Sequence, residues 1–170
     1  MRALFLSIML VFTAGCYPKF NLREPVYLVA TKSFFEGCED EACRERRLNT
    51  IRVGAEMWFL QCEGENKPRV VIVSEPPKKS KNEPIYVEVD RNLESPAAFE
   101  WFPRPLRIVL RNITLGLIPQ YYIGHELGHA FLGRRHLKSV SIMQTEGGPL
   151  RPTEEDLKRL SRAHPELLCR

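Results

Sequence analysis

The chain has 170 residues, 44% of them hydrophobic, and carries 25 Lys and Arg against 21 Asp and Glu. That length is most simply one domain, able to bury a real core without depending on staples. The positive surplus is mild and scattered rather than gathered into a stripe, which argues against nucleic acid as the main partner.

The first sixteen residues, MRALFLSIMLVFTAGC, have a basic start at Arg2, an apolar run from Ala3 to Phe12 and small residues just before a cysteine. This is the pattern of a secretory signal over residues 1–15. The run is too short to cross a bilayer as a helix, which takes about 20 residues. The segment TAGC resembles a bacterial lipobox, which implies cleavage before Cys16 and acylation of its thiol. Thr13 stands where leucine is usual, so ordinary secretion with a free Cys16 thiol stays open. Residues 16–24 would then be a tether and residues 25–170 the folded domain, exported and held at an envelope membrane, facing the periplasm or the cell surface.

Four further cysteines are Cys38, Cys43, Cys62 and Cys169. An even count in an exported chain reads as two disulfides with three possible connectivities. We expect Cys38–Cys43 as a local loop and Cys62–Cys169 as a long closure. A metal clip at CEDEAC is discounted, because the spacing is unusual and no histidine is near.

Next in order, PVYLVATKSFF (Pro25 to Phe35) has strand composition. From Glu41 to Cys62 the apolar positions Leu48, Ile51, Ala55, Trp58, Phe59 and Cys62 recur every three or four residues, predicting an amphipathic helix. RVVIVSEPP is an apolar run bounded by prolines and predicts a buried strand, and SEPPKKSKNEP a solvated basic loop. IYVEVD (Ile85 to Asp90), AAFEWF (Ala97 to Phe102) and LRIVLRN (Leu106 to Asn112) predict three more strands. A histidine-bearing helix follows, then a loop rich in glycine and proline. A final helix is capped by Thr153, with Glu154, Glu155 and Asp156 in the first turn, where the helix dipole favours acids. His164, followed by Pro165, is expected at the surface near the end of that helix. This order predicts an α+β domain with helices on a mixed sheet.

Three of the four histidines fall in YYIGHELGHAFLGRRH, Tyr121 to His136. On a helix His125 and His129 lie one turn apart on nearly one face, so both imidazoles can reach one ion. Zinc takes nitrogen ligands in a tetrahedron, and a catalytic zinc keeps one position for water. Glu126 would stand beside that water as general base. The rest of the helix is strongly apolar, and buried histidines need a partner. A third ligand must come from elsewhere. If the helix ran on, His136 would lie ~16 Å further along the axis, too far to share the ion. A left-handed residue at Gly133 would end the helix and let His136 turn back.

The stretch HELGHAFLGRRH resembles the metzincin zinc endopeptidases, whose pattern is HExxHxxGxxH followed by a methionine turn. Here glycine and third histidine both lie one residue later, and Gly133 keeps its relation to His136. The resemblance implies His125, His129 and His136 as ligands of one zinc ion and Glu126 as base. SVSIMQ (Ser139 to Gln144) looks like the methionine turn, which makes Met143 an apolar floor beneath the ligands. Metzincins of the astacin type have a tyrosine two residues after this methionine; Thr145 stands there, so the likeness is closer to matrixins. The order of elements extends it over most of residues 25–168, though only 125–143 is specific. The fold implied is a metzincin-like twisted mixed sheet with a long first helix, an active-site helix and a C-terminal helix.

The resemblance further implies an edge strand that pairs with extended substrate, for which Ala97, Ala98, Phe99, Glu100, Trp101 and Phe102 are the candidates. An ordinary edge or loop would have the same composition. The loop QTEGGPLRP would line the pocket for the side chain after the cleaved bond. The implied activity is Glu-assisted, zinc-dependent hydrolysis of peptide bonds in extracytoplasmic proteins or peptides, by a monomer. Alternatives are a zinc peptidase of another class using Glu146, Glu154 or Glu155 as third ligand, a non-enzymatic surface lipoprotein, or a fold without metal. A purely structural zinc closes its fourth position and needs no base, so Glu126 speaks against the second.

Overall fold

The computed structural model describes residues 20–63, 67–101, 104–112, 119–138, 140–144 and 148–169. The signal segment, Cys16, Phe102, Ser139, Thr145 and Glu146 lie outside the described residues. The elements in chain order are β1 (Val26–Ala30), α1 (Glu41–Glu56), β2 (Cys62–Glu63), β3 (Val70–Val73), β4 (Ile85–Asp90), β5 (Ala97–Glu100), β6 (Leu106–Arg111), α2 (Pro119–Leu132), α3 (Glu154–Ala163) and β7 (Leu168–Cys169).

Five strands form one sheet in the order β3-β1-β4-β6-β5. All neighbours run parallel except β5, which lies antiparallel to β6 at one edge. Alternation along the strands decides which face is dry. Val26, Leu28, Ile85, Val87, Leu106, Ile108 and Leu110 are buried and share a core with Ile51, Trp58, Ile123 and Leu127 of the helical side. On the opposite face Arg107 ties two strands together, with Nη1 3.1 Å from Glu88 and Nη2 2.5 Å from Glu100. The domain is therefore α+β: a mixed sheet with one face under helices and a charged patch on the other.

Helices α1 and α2 approach closely because glycines remove the side chains between them. A methyl group at Gly54 would lie 2.6 Å from the Gln120 carbonyl oxygen, and one at Gly124 would overlap the Met57 sulfur. The Trp58 indole N–H then donates to the Gly124 carbonyl at 2.6 Å, so the second residue after α1 fixes the height of α2. At its C-terminal end α2 is held by His164.

Both expected disulfides, Cys38–Cys43 and Cys62–Cys169, are formed. The second joins directly opposed residues of the antiparallel pair β2 and β7, so it closes the chain end onto the turn that follows α1.

Several expectations change in detail. The first strand stops at Ala30, because Ser33 Oγ accepts from the Val89 N–H and the chain turns into a 3-10 segment, Ser33–Phe35. The first helix ends at Glu56 rather than Cys62. Tight turns closed by Phe59 N–H to Glu56 and Cys62 N–H to Phe59 replace its last turns and bring Cys62 opposite Cys169. The strand expected to be buried, β3, is half-buried, since it is the outer strand beside β1. No helix among the described residues is long and apolar enough to cross a membrane.

His164 is not at the surface. It is 2% exposed, and its Nε2–H donates to the Phe131 carbonyl of α2 at 3.1 Å, while Nδ1 stands 3.5 Å from Glu166 Oε1. The reason is the turn after α3: the Leu167 N–H bonds the His164 carbonyl and folds the chain back over the helix end. A His-Pro pair at a helix end carries no signal for that, because the burial comes from a partner 33 residues earlier.

Candidate metal centre

His125 and His129 project from one face of α2 and are each 8% exposed. Gly133 has φ +87°, a left-handed conformation suited to glycine, and its N–H bonds the His129 carbonyl. The chain leaves the helix there and returns, so that His136 joins the other two. One ligand atom from each of the three histidines lies within 4.8 Å of the others, an arrangement that could hold a metal ion.

The orientation of each ring matters as much as its position. His125 Nδ1–H donates to the Ile142 carbonyl at 2.5 Å, and His129 Nδ1–H donates to the Gly133 carbonyl at 3.1 Å. Those bonds fix the tautomer with Nε2 as the lone-pair nitrogen. His125 Nε2 and His136 Nε2 are 3.2 Å apart, close to the ~3.3 Å between two nitrogens of a tetrahedral site with bonds near 2.05 Å. Burial also favours the neutral form of the two helix imidazoles. Burial pushes His129 down to about 4 and lowers His125 as well, in both cases against a carbonyl that favours the charged ring. Neutral imidazoles whose lone pairs converge suit a metal ion.

The segment after the helix packs against α2 beside the histidines. Met143 is fully buried, and its sulfur fills the space that a side chain at Gly128 would need; the same methyl would lie 2.6 Å from the Trp58 ring. The segment is tied to α3 by Asp156, itself fully buried. Its carboxylate accepts from the Ser141 hydroxyl, from Ile142 N–H at 3.0 Å, and from Thr153 N–H and Thr153 Oγ1–H, each at 2.8 Å. Thr153 caps α3 as expected, but Asp156 does more than face the helix dipole. It holds the Ile142 peptide whose carbonyl orients His125. Sequence patterning identified the cap and missed this link, for which S/T-x-x-D is only a weak signal.

Glu126 is 5% exposed and opens onto the same cleft as the histidines. Burial pushes its carboxyl up to about 8, against a bond from the Phe99 backbone N–H that favours the charged form. The cleft has a volume of about 610 Å³, with β5 along one wall and Tyr121, Tyr122 and the histidines along another. Five of the six expected edge residues, Ala97 to Trp101, line it. Of the alternative carboxylate ligands, Glu154 and Glu155 are exposed on α3, Glu154 being paired with Lys158, and neither joins the histidines. The structure also adds Arg134 to the wall, which patterning did not single out.

A pH dependence follows for the metal-free protein. The raised Glu126 makes a contribution to stability that is fully present below about 4.5 and lost as pH rises to about 8. The depressed His129 makes one that is present above about 6.5 and lost as pH falls to about 4. Denaturant midpoints of metal-free protein should therefore peak in mildly acidic solution. The alkaline decline should be shallower in Glu126→Gln by up to a few kcal/mol at pH 9; equal declines in both proteins would contradict the assignment.

Comparison of the chain with models of known protein families gives no match, and comparison with functionally characterised proteins gives none.

Proposed function

We propose that the protein is a zinc-dependent endopeptidase of the metzincin kind, hydrolysing peptide bonds of extracytoplasmic proteins or peptides. The observation that carries this reading is one cleft in which three imidazoles converge, a buried glutamate opens beside them, and a strand edge runs along the wall. A structural zinc site has no use for either of the last two features.

The donor set supports zinc as the metal, since three imidazole nitrogens with an adjacent acid suit it in an open tetrahedron. When bound, zinc would be held by His125, His129 and His136 and would supply Lewis acidity, polarising a carbonyl and acidifying water. The chain's own residues do the rest. Glu126 takes a proton from the attacking water and delivers it to the departing amine, so no covalent intermediate with the protein is needed. A carboxyl whose environment raises its proton affinity is suited to holding that proton between the two steps. The β5 edge would bind extended peptide by main-chain hydrogen bonds, which favours unfolded or loop segments over folded surfaces.

Location is part of the proposal. The signal-like segment ending at Cys16 supports export and lipid anchoring, and two disulfides fit an oxidising compartment. The test is incubation of the zinc-loaded protein with an unfolded protein substrate, with mass spectrometry of the products. New internal termini, suppressed by a chelator and restored by zinc, are expected. Intact substrate in the presence of bound zinc would sink the peptidase reading.

A further inference from the structure

Three side chains of the cleft wall carry ionisable groups outside the histidines and tyrosines: Glu100, Glu126 and Arg134. Glu100 lines the cleft, but its carboxylate lies 2.5 Å from Arg107 Nη2, a cross-strand neighbour on β6. Glu126 belongs to the centre itself. Arg134 is the cation of the lining, and Gly133 aims it: the left-handed residue ends α2 and sends the next side chain across to the end of β5. Its guanidinium carbon lies 5.9 Å from the ring centroid of Trp101. Trp101 is a firm platform, 5% exposed and packed edge-on against Phe99 at 4.8 Å. A cation–π contact of this kind favours the guanidinium over the ring, and its N–H donors lie in its own plane and match a carboxylate.

The register of β5 places this cation relative to the chemistry. Arg111 N–H donates to the Pro96 carbonyl, and Ala97 pairs with Leu110. In an antiparallel ladder the backbone groups of Pro96, Ala98 and Glu100 then face β6, while those of Ala97 and Phe99 face away. The Phe99 N–H reaches Glu126, so the general base stands level with Phe99. Trp101 and Arg134 are two residues further along, ~7 Å toward the C-terminal end of the strand. A peptide added antiparallel to β5 runs the opposite way, so the residues it sets beside Arg134 precede the cleaved bond. A free C-terminal carboxylate would fall on the other side of that bond, toward Ser95. The anion that meets Arg134 must therefore be a side chain.

We propose that Arg134 is a specificity-determining residue that selects peptides with an aspartate or glutamate two or three residues before the cleaved bond. This rests on the peptidase reading above, and its test needs no turnover. Acetylated tetrapeptides ending in a hydroxamate, which anchors the C-terminal end at the metal, would carry Glu, Gln or Lys two or three residues earlier. Their affinities for the zinc-loaded full chain would be measured by calorimetry. The Glu peptide should bind roughly threefold to tenfold tighter than the Gln peptide, and the margin should shrink with salt. Arg134→Glu should reverse the order in favour of Lys, and Arg134→Gln should flatten it. Equal affinities for all three, or a Glu preference that survives both substitutions, would overturn the inference while leaving the peptidase reading intact. A Glu preference seen only when the residue lies on the C-terminal side of a succinyl hydroxamate would overturn the assigned side. Sound hydroxamate binding with acid preference, but no cleavage of any peptide, would count against the peptidase reading alone. Failure of every hydroxamate to bind would contradict both.

Discussion

Glu126→Gln should lower kcat for peptide hydrolysis by about 10²–10⁴-fold while the protein still binds one zinc per chain. The substitution keeps the shape of the side chain and the hydrogen-bond capacity toward Phe99, and removes only the ability to accept and return a proton. KM should change little, because Glu126 is asked to act on water and on the leaving amine and not to hold substrate. Stability should not fall, since a neutral amide suits a site where burial already disfavours the carboxylate. Metal content, unfolding midpoint and steady-state kinetics measured on the same preparation decide the matter. Undiminished kcat with full zinc content would remove Glu126 from the mechanism.

Asp156→Ala should be the most damaging substitution outside the ligands themselves. It leaves the Ser141 hydroxyl, the Ile142 N–H and the Thr153 cap without their shared acceptor in a buried setting. Hydrogen bonds to a charged group contribute about 1.5–3 kcal/mol each, and losses within one network do not simply add. A cost of about 3 kcal/mol or more is expected, lowering Tm by roughly 6–12 °C in a domain of this size. Zinc affinity should also drop, by about 10–100-fold, because the Ile142 carbonyl that sets the His125 tautomer is no longer fixed. Asp156→Asn retains one acceptor oxygen and should fall between the two. Wild-type zinc affinity in a destabilised Asp156→Ala protein would show that Asp156 serves only the fold.

Much of this site could be read from the chain because helical spacing is a strong local constraint. His125 and His129 four residues apart, Glu126 beside the first, and a glycine before His136 place three of the four groups without any tertiary knowledge. The position of His136 depended on Gly133 being left-handed, which its φ of +87° bears out. The edge position of β5 and both disulfides were likewise anticipated. What was not legible came from contacts remote in sequence. His164 meets Phe131, and Trp58 meets Gly124 across 66 residues; neither pairing leaves a periodic trace. The last turns expected of α1 yielded to the demand that Cys62 face Cys169, a tertiary constraint that local propensity does not see. Nothing local marks Arg134 either: it is the return of the chain after Gly133 that sets it beside Trp101.

The proposed chemistry requires three histidines to close around one zinc ion despite the extra residue before Gly133. Zinc content after dialysis, measured beside His136→Ala in the same full-length protein, tests this most directly. One zinc per chain in the wild type, and well below one in a folded His136→Ala protein, is the predicted result. Full zinc retention by His136→Ala would contradict the three-histidine centre and move the third ligand elsewhere in the chain.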